Sequence, residues 1–391
     1  MPAPPTVPGA SPLAAPSAEH RLLLACGRAV LADERSADAA LLDGVDAERL
    51  ARLALRHGML PLVARFLGAF GAAGAPLRAA LRAEVLEGSR AALALTSELL
   101  AVMQRLQALD VPVLAYKGPA LAIQAFGDPS LRRFGDLDLV VERGGLDRAV
   151  AALEGLGFVA ERFESRAQRA AVLRDGHHLA LTRDGVMVEL HWRFSKRIFG
   201  FGEELGGVWE RRHVLPVAGA AVPVLGVGDH MLGLVIHASK GVWLALEWTL
   251  AIAVLARALP ADGWGAVAAR AEAWGCARAL QVSLLLSEAL FATPAPAALW
   301  ARLPPDRATR ALARTIAARA LAGARSPASY LRTQVALRGG GWRKLAFLMR
   351  SLFVATPSDW AEARGTRSGL VLARIARPFR LFRKYGGRKT V

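Results

Sequence analysis

The chain has 391 residues, 53% hydrophobic and 21% charged, which is ample for a packed core and excludes wholesale disorder. Lys and Arg total 50 against 33 Asp and Glu, a formal charge of +17, and the stretch from Arg343 to Lys389 alone carries 12 basic and 2 acidic residues. Such a tail signals an anionic partner surface without specifying any chemistry, and two cysteines, Cys26 and Cys276, exclude a disulfide framework and a Cys-rich zinc site.

Residues 1–18 are rich in Pro and Ala, lack the basic flank and continuous apolar stretch of a signal peptide, and read as a disordered leader. Residues 19–110 read as an N-terminal helical domain. Ala47 to Leu55 has helical apolar spacing with Gly58 as its stop, Pro61 to Phe70 makes a second short helix, and Pro76 to Leu109 runs as one long helix or two. The period then changes. Val111 to Tyr116 is a β-favourable apolar run ended by Lys117-Gly118-Pro119, and Pro119 suits the first position of a short helix to Phe126. A loop leads into a second strand, Asp136 to Glu142, then a helix from Gly144 to Leu156. His177 to Arg183 and Val186 to Phe194 are strands joined at the hairpin dipeptide Asp184-Gly185, and Val214 to Val227 adds another hairpin. This order predicts a small α/β core with a mixed sheet over residues 111–228.

From Asp229, the expected N-cap of a helix over 230–240, a C-terminal helical domain runs to residue 391. Its helices are expected at about 243–259, 262–290, 307–323, 326–337, 340–354 and 367–384. The fold class is therefore α+β. The uncharged run Trp248 to Ala256 is far short of the roughly 20 residues a membrane span needs, so no transmembrane span and a cytoplasmic location are expected.

Three polar features fall within 111–228. Asp136-Leu137-Asp138 puts two carboxylates on one face of a strand; they resist joint ionisation unless a cation sits between them, which suits Mg²⁺. A solvated strand start is the alternative. Lys117-Gly118 follows a strand and opens a helix, a place where backbone N–H groups and a point charge can meet phosphate, although a plain turn glycine beside a surface lysine reads the same way. Glu189 and His191 share one face of their strand, with Val188, Leu190, Trp192 and Phe194 on the other. A mid-strand Glu is costly unless paired or metal-bound; a salt bridge to Arg193 or a neighbouring Arg is the competing explanation, and His191 either orients a ligand or bonds a backbone carbonyl. Together the three features have the order a two-metal phosphoryl-transfer site requires.

Val113 to Leu121 (VLAYKGPAL), Arg133 to Val141 (RFGDLDLVV) and Val188 to Trp192 (VELHW) resemble the uncharacterised nucleotidyltransferase family of the DNA-polymerase-beta-like superfamily. The resemblance extends upstream to His57-Gly58-Met59-Leu60-Pro61-Leu62 and downstream to His237-Ala238-Ser239-Lys240 and Trp248. It implies transfer of a nucleoside monophosphate from NTP, ATP included, to a hydroxyl acceptor (a small molecule, a sugar phosphate or a peptide), with pyrophosphate leaving and two Mg²⁺ ions as cofactors. On that resemblance Asp136 and Asp138 hold both metals, while Glu189 holds the catalytic one and helps deprotonate the acceptor. Lys117, Gly118, Arg133, His191, His237 and Lys240 are its nucleotide-binding candidates. The family usually carries an Asp one turn after the Trp; here that position is Ala251.

The basic tail supplies the rival reading. Arg374, Arg377, Arg380 and Arg383 form a stripe through Leu370 to Phe382. A non-catalytic protein would dock this helix on anionic lipid or nucleic acid. The simpler expectation is that Leu370, Leu372, Ile375 and Phe379 pack on the helical domain while the arginines stay solvated.

Overall fold

The computed structural model describes residues 16–33, 37–163, 165–201, 205–323, 326–354, 371 and 375–380. Ser17 accepts the His20 N–H and caps α1 (Ala18–Ala32), placing the first helix at the end of the expected leader. There follow α2 (Ala47–Arg56), α3 (Leu60–Phe66), α4 (Ala75–Ala80) and the long α5 (Arg82–Ala108). The central stretch comprises β1 (Val113–Tyr116), α6 (Gly118–Phe126), β2 (Leu137–Val141), α7 (Leu146–Glu154), β3 (Val159–Ala160), α8 (Arg166–Asp175), β4 (His178–Arg183), β5 (Val186–His191), β6 (His213–Val217) and β7 (Ala220–Val224). The helices then resume as α9 (Val227–Lys240), α10 (Leu246–Arg257), α11 (Trp264–Ala273), α12 (Ala277–Phe291), α13 (Ala297–Arg302), α14 (Arg307–Ala322), α15 (Pro327–Ala336) and α16 (Gly341–Phe353).

The described strands form one mixed seven-stranded sheet in the order β3-β4-β5-β2-β1-β7-β6. β2 runs antiparallel to β1 and parallel to β5. Period-two alternation divides their side chains between two cores. Ala115, Leu139 and Leu190 pack on Leu106 of α5 and Leu153 of α7. Leu114, Tyr116 and Val140 join a larger core containing Leu22 and Leu62 from helices before the sheet and Leu250 and Leu284 from helices after it. Within that core α1 rests on α12 so closely that a Cβ on Gly27 would overlap the buried Phe291 ring. Gly27→Ala is expected to cost about 1–3 kcal/mol through overpacking, read as a lower denaturant midpoint at unchanged slope.

Several local expectations are corrected. Asp229 does not cap α9: Gly226 is the N-cap, and buried Asp229 instead faces Arg211 Nε and Arg270 Nε, each at 2.8 Å. The single helix expected over 262–290 breaks into α11 and α12 at Gly275, which has φ +67°. Phe194 lies beyond the end of β5, so strand alternation no longer governs it, and it joins the larger core against Tyr116 with ring centroids 5.1 Å apart. At the C-terminal end, Ile375 and Phe379 are exposed and Arg377 is buried. Arg377 Nη1 donates to the Val354 carbonyl at 2.8 Å, satisfying a group left open at the end of α16. Leu370, Leu372, Arg374 and Arg383 lie outside the described residues. Among the described residues no single helix is long and apolar enough to cross a membrane; Leu246–Arg257 and Ala261–Ala273 pass only as a pair bent by 112°.

Candidate active site

Two carboxylates meet because β2 and β5 are parallel neighbours in register. Asp138 pairs with Glu189, and Val140 with His191. His191 Nε2 lies between them, 2.8 Å from Asp138 Oδ1 and 3.0 Å from Glu189 Oε2. Lys117 Nζ is 2.5 Å from Asp138 Oδ1, and His178 Nδ1 is 2.7 Å from Glu189 Oε2. The partners are thus a lysine and histidines, not the arginines of the salt-bridge alternative; Arg193 Nη1 donates instead to the Arg174 carbonyl. Burial works to raise both carboxyl pKa values. It is outweighed at Asp138 by Lys117 and His191, and at Glu189 by His178 and His191, so both acids are held well below the usual carboxylate range.

Asp136 precedes β2 instead of lying in it and is half-buried. Its carboxylate has no hydrogen-bond or ion-pair partner among the described residues. Burial, followed by the neighbouring Asp138 charge, pushes its pKa up. This contrast is what three close carboxylates sharing too few cations should produce.

The turn before α6 is built for close approach. Lys117 has φ +53° and Gly118 φ +44°, a left-handed pair that costs on the order of 1–3 kcal/mol at the non-glycine position. A Cβ on Gly118 would stand 3.4 Å from the Asp136 carbonyl oxygen, so turn and D-x-D segment lie side by side. Lys117 N–H donates to His230 Nε2 at 3.1 Å. That nitrogen must then be an acceptor, so His230 Nδ1–H donates to Gln124 Oε1 at 2.6 Å. Burial, together with the Arg132 and Lys117 charges, pushes the His230 pKa down to about 3, keeping this neutral tautomer.

Of the remaining candidates, Lys240 and His237 sit on α9. Lys240 Nζ donates to the Phe194 carbonyl at 3.2 Å, and burial plus the Lys117 charge lower its pKa to about 8. His237 stands edge-on to Trp248 with centroids 5.0 Å apart, and burial drives its pKa far down, helped by Lys117 and Lys240. The structure does not bring Arg133 to this cluster. It is exposed, and its Nη1 lies 3.7 Å from where a Cβ on Gly88 of α5 would be. The neighbouring Arg132 is the buried arginine whose charge acts on Asp136; its Nε donates to Glu247 Oε1 at 2.8 Å. The Glu247 N–H in turn donates to the His57 carbonyl at 3.1 Å, so the upstream His57-Gly58 segment anchors the start of α10. Ala251, one turn further on, is buried in the larger core.

Sequence reasoning missed His230, Arg132, Glu247, His177 and His178. The first three have partners more than a hundred positions away, which leaves no local pattern. His177-His178 is visible as a dipeptide, but strand alternation would have sent the two rings to opposite faces. A bend at His177 instead stacks them at 4.2 Å. Ring nitrogens of His177, His178 and His191 lie within 4.8 Å of one another, as do ligand atoms of Asp138, Glu189 and His191.

Residues 43–292 match the family described as Uncharacterised nucleotidyltransferase. No curated protein and no solved structure matches the chain.

Proposed function

The chain belongs to the uncharacterised nucleotidyltransferase family, and on that premise we propose that it moves a nucleoside monophosphate from NTP to a hydroxyl acceptor by a two-Mg²⁺ mechanism. The observation that carries this reading is the meeting of Asp138 and Glu189 beside the Lys117-Gly118 turn, with Asp136 near enough for both charges to act on it. The donor set suits a hard divalent cation, and the Asp136 carboxylate, without a hydrogen-bond or ion-pair partner among the described residues, is negative charge that a cation would meet. Asp136, Asp138 and Glu189 would hold Mg²⁺, which supplies neutralisation of charge at the α-phosphate and on pyrophosphate.

The other steps belong to the chain itself. Lys117 and the α6 N-terminus receive the triphosphate. Lys240 adds a second positive charge, strongest below its pKa of about 8. Glu189, kept ionised by His178 and His191, takes the proton as the acceptor oxygen bonds to the α-phosphorus and the bond to the β-phosphate oxygen breaks, releasing pyrophosphate. His230 positions Lys117 through its backbone, and Arg132, fixed by Glu247, adds positive potential behind Asp136.

Thermal unfolding of the wild type and of Asp136→Ala/Asp138→Ala, with each NTP and with or without Mg²⁺, tests the reading. Saturation at 100 times the dissociation constant adds roughly 2.7 kcal/mol. A Mg²⁺-dependent upward shift is expected in the wild type and not in the double variant. No shift with any NTP would count against the enzyme reading. It would favour the rival, a non-catalytic protein that docks its basic C-terminal helix on anionic lipid or nucleic acid.

A further inference from the structure

We propose that His177, His178 and His191 form a three-imidazole seat for one zinc-class transition-metal ion, its fourth position open, beside the Asp136, Asp138 and Glu189 carboxylates. It is chemically distinct from a Mg²⁺ site, because imidazole nitrogens select the borderline ions that oxygen-only magnesium sites do not.

Four observations converge on it. Sheet register sets His178 directly opposite His191, and the bend before β4 brings His177 to the same face, where its ring stacks on His178 and stands edge-on to His191 at 5.5 Å. The three ring nitrogens lie within 4.8 Å of one another. Ligands at 2.0–2.1 Å around a tetrahedral ion are separated by about 3.4 Å, so closure asks for at most about 1.4 Å of side-chain adjustment. Glu189 Oε2 is already 2.7 Å from His178 Nδ1 and 3.0 Å from His191 Nε2, bringing negative charge to the imidazoles.

The fourth observation concerns unmet valence. His177 and His191 are more than nine-tenths buried, and the Nδ1 of each has no hydrogen-bond partner among the described residues. A buried ring nitrogen left bare costs on the order of 1–3 kcal/mol, and two of them within one three-histidine cluster call for a shared occupant. A histidine cluster serving only to pack would leave no reason for the bend that turns His177 inward. The main chain there is firmly held, since the His177 carbonyl accepts the Trp192 N–H at 3.0 Å.

The proposal does not rest on nucleotidyl transfer, and metal stoichiometry tests it without any turnover. Full-length protein stripped of metal is titrated with Zn²⁺ in the presence of excess Mg²⁺, and with Co²⁺ as a spectroscopic probe. One Zn²⁺ per chain is expected, undisturbed by Mg²⁺, together with the intense visible absorption of four-coordinate Co²⁺. His177→Ala/His178→Ala is expected to weaken Zn²⁺ binding at least about 100-fold, since even outer-shell changes cost 10–100-fold. Wild-type protein that takes up no Zn²⁺, that loses it to Mg²⁺, or that gives only the weak spectrum of six-coordinate Co²⁺ would overturn the assignment, whatever the variant does. Undiminished binding by the folded double variant would overturn it too. A Mg²⁺–NTP thermal shift that survives any of these failures would leave the function proposed above standing and remove the imidazole seat alone.

Discussion

Asp138→Asn is expected to lower turnover at least about 10³-fold, a loss of about 4 kcal/mol of transition-state stabilisation. The amide keeps the shape of the side chain and loses the charge. It also leaves two buried neighbours, Lys117 and His191, facing a neutral amide in place of the carboxylate oxygen they share at 2.5 and 2.8 Å. Glu189 is then the carboxylate left beside His191, and on the proposed function the substrate phosphates lose the cation that the carboxylates would hold. The measurement is Mg²⁺-dependent pyrophosphate release from NTP with water as acceptor, run beside circular dichroism to verify the fold. A variant within tenfold of the wild type would remove Asp138 from the machinery.

The largest effect on stability is expected away from the reacting atoms, at Glu247→Gln. Its carboxylate is the partner of the Arg132 guanidinium, and the two side chains are only 4% and 8% exposed. Removing one charge from such a pair strands the other in the interior, at a cost of about 3–5 kcal/mol, a large share of a typical domain's total stability. Replacing both, as in Arg132→Met/Glu247→Leu, is expected to recover most of that loss, because apolar packing substitutes well for a buried ion pair. Urea denaturation of the three proteins separates the cases. A single variant within 1 kcal/mol of the wild type would mean that water reaches Arg132.

What the sequence made legible about this site is what lies close along the chain. The D-x-D segment, the Lys-Gly turn and the Glu-x-His pair each occupy a few consecutive positions, and alternation alone sends Leu137, Leu139, Val188 and Leu190 to the opposite core. Alternation failed at both edges of the strands. Asp136 stands before β2 begins, and Phe194 lies past the end of β5. Helices were legible where one face is apolar. α8 was not, because Ala171 is its only buried residue and its polar composition carries no period. Nothing local could show that β2 and β5 would align Asp138 with Glu189, that His230 would hold the Lys117 amide, or that His57 would receive the N–H of Glu247. Those contacts are set by tertiary packing.

The core shared by α1 and α12 has a consequence for how the protein is made. Synthesis runs from the N-terminus at roughly 5–20 residues per second, so the face of α1 at Gly27 leaves the ribosome on the order of tens of seconds before Phe291 exists to cover it. The whole sheet must emerge in between. The nascent chain can cover the rest of α1 with α2 and α3, but this one seam stays open to chaperones and to neighbouring nascent chains for most of its translation. The seam closes only when its distant partner arrives.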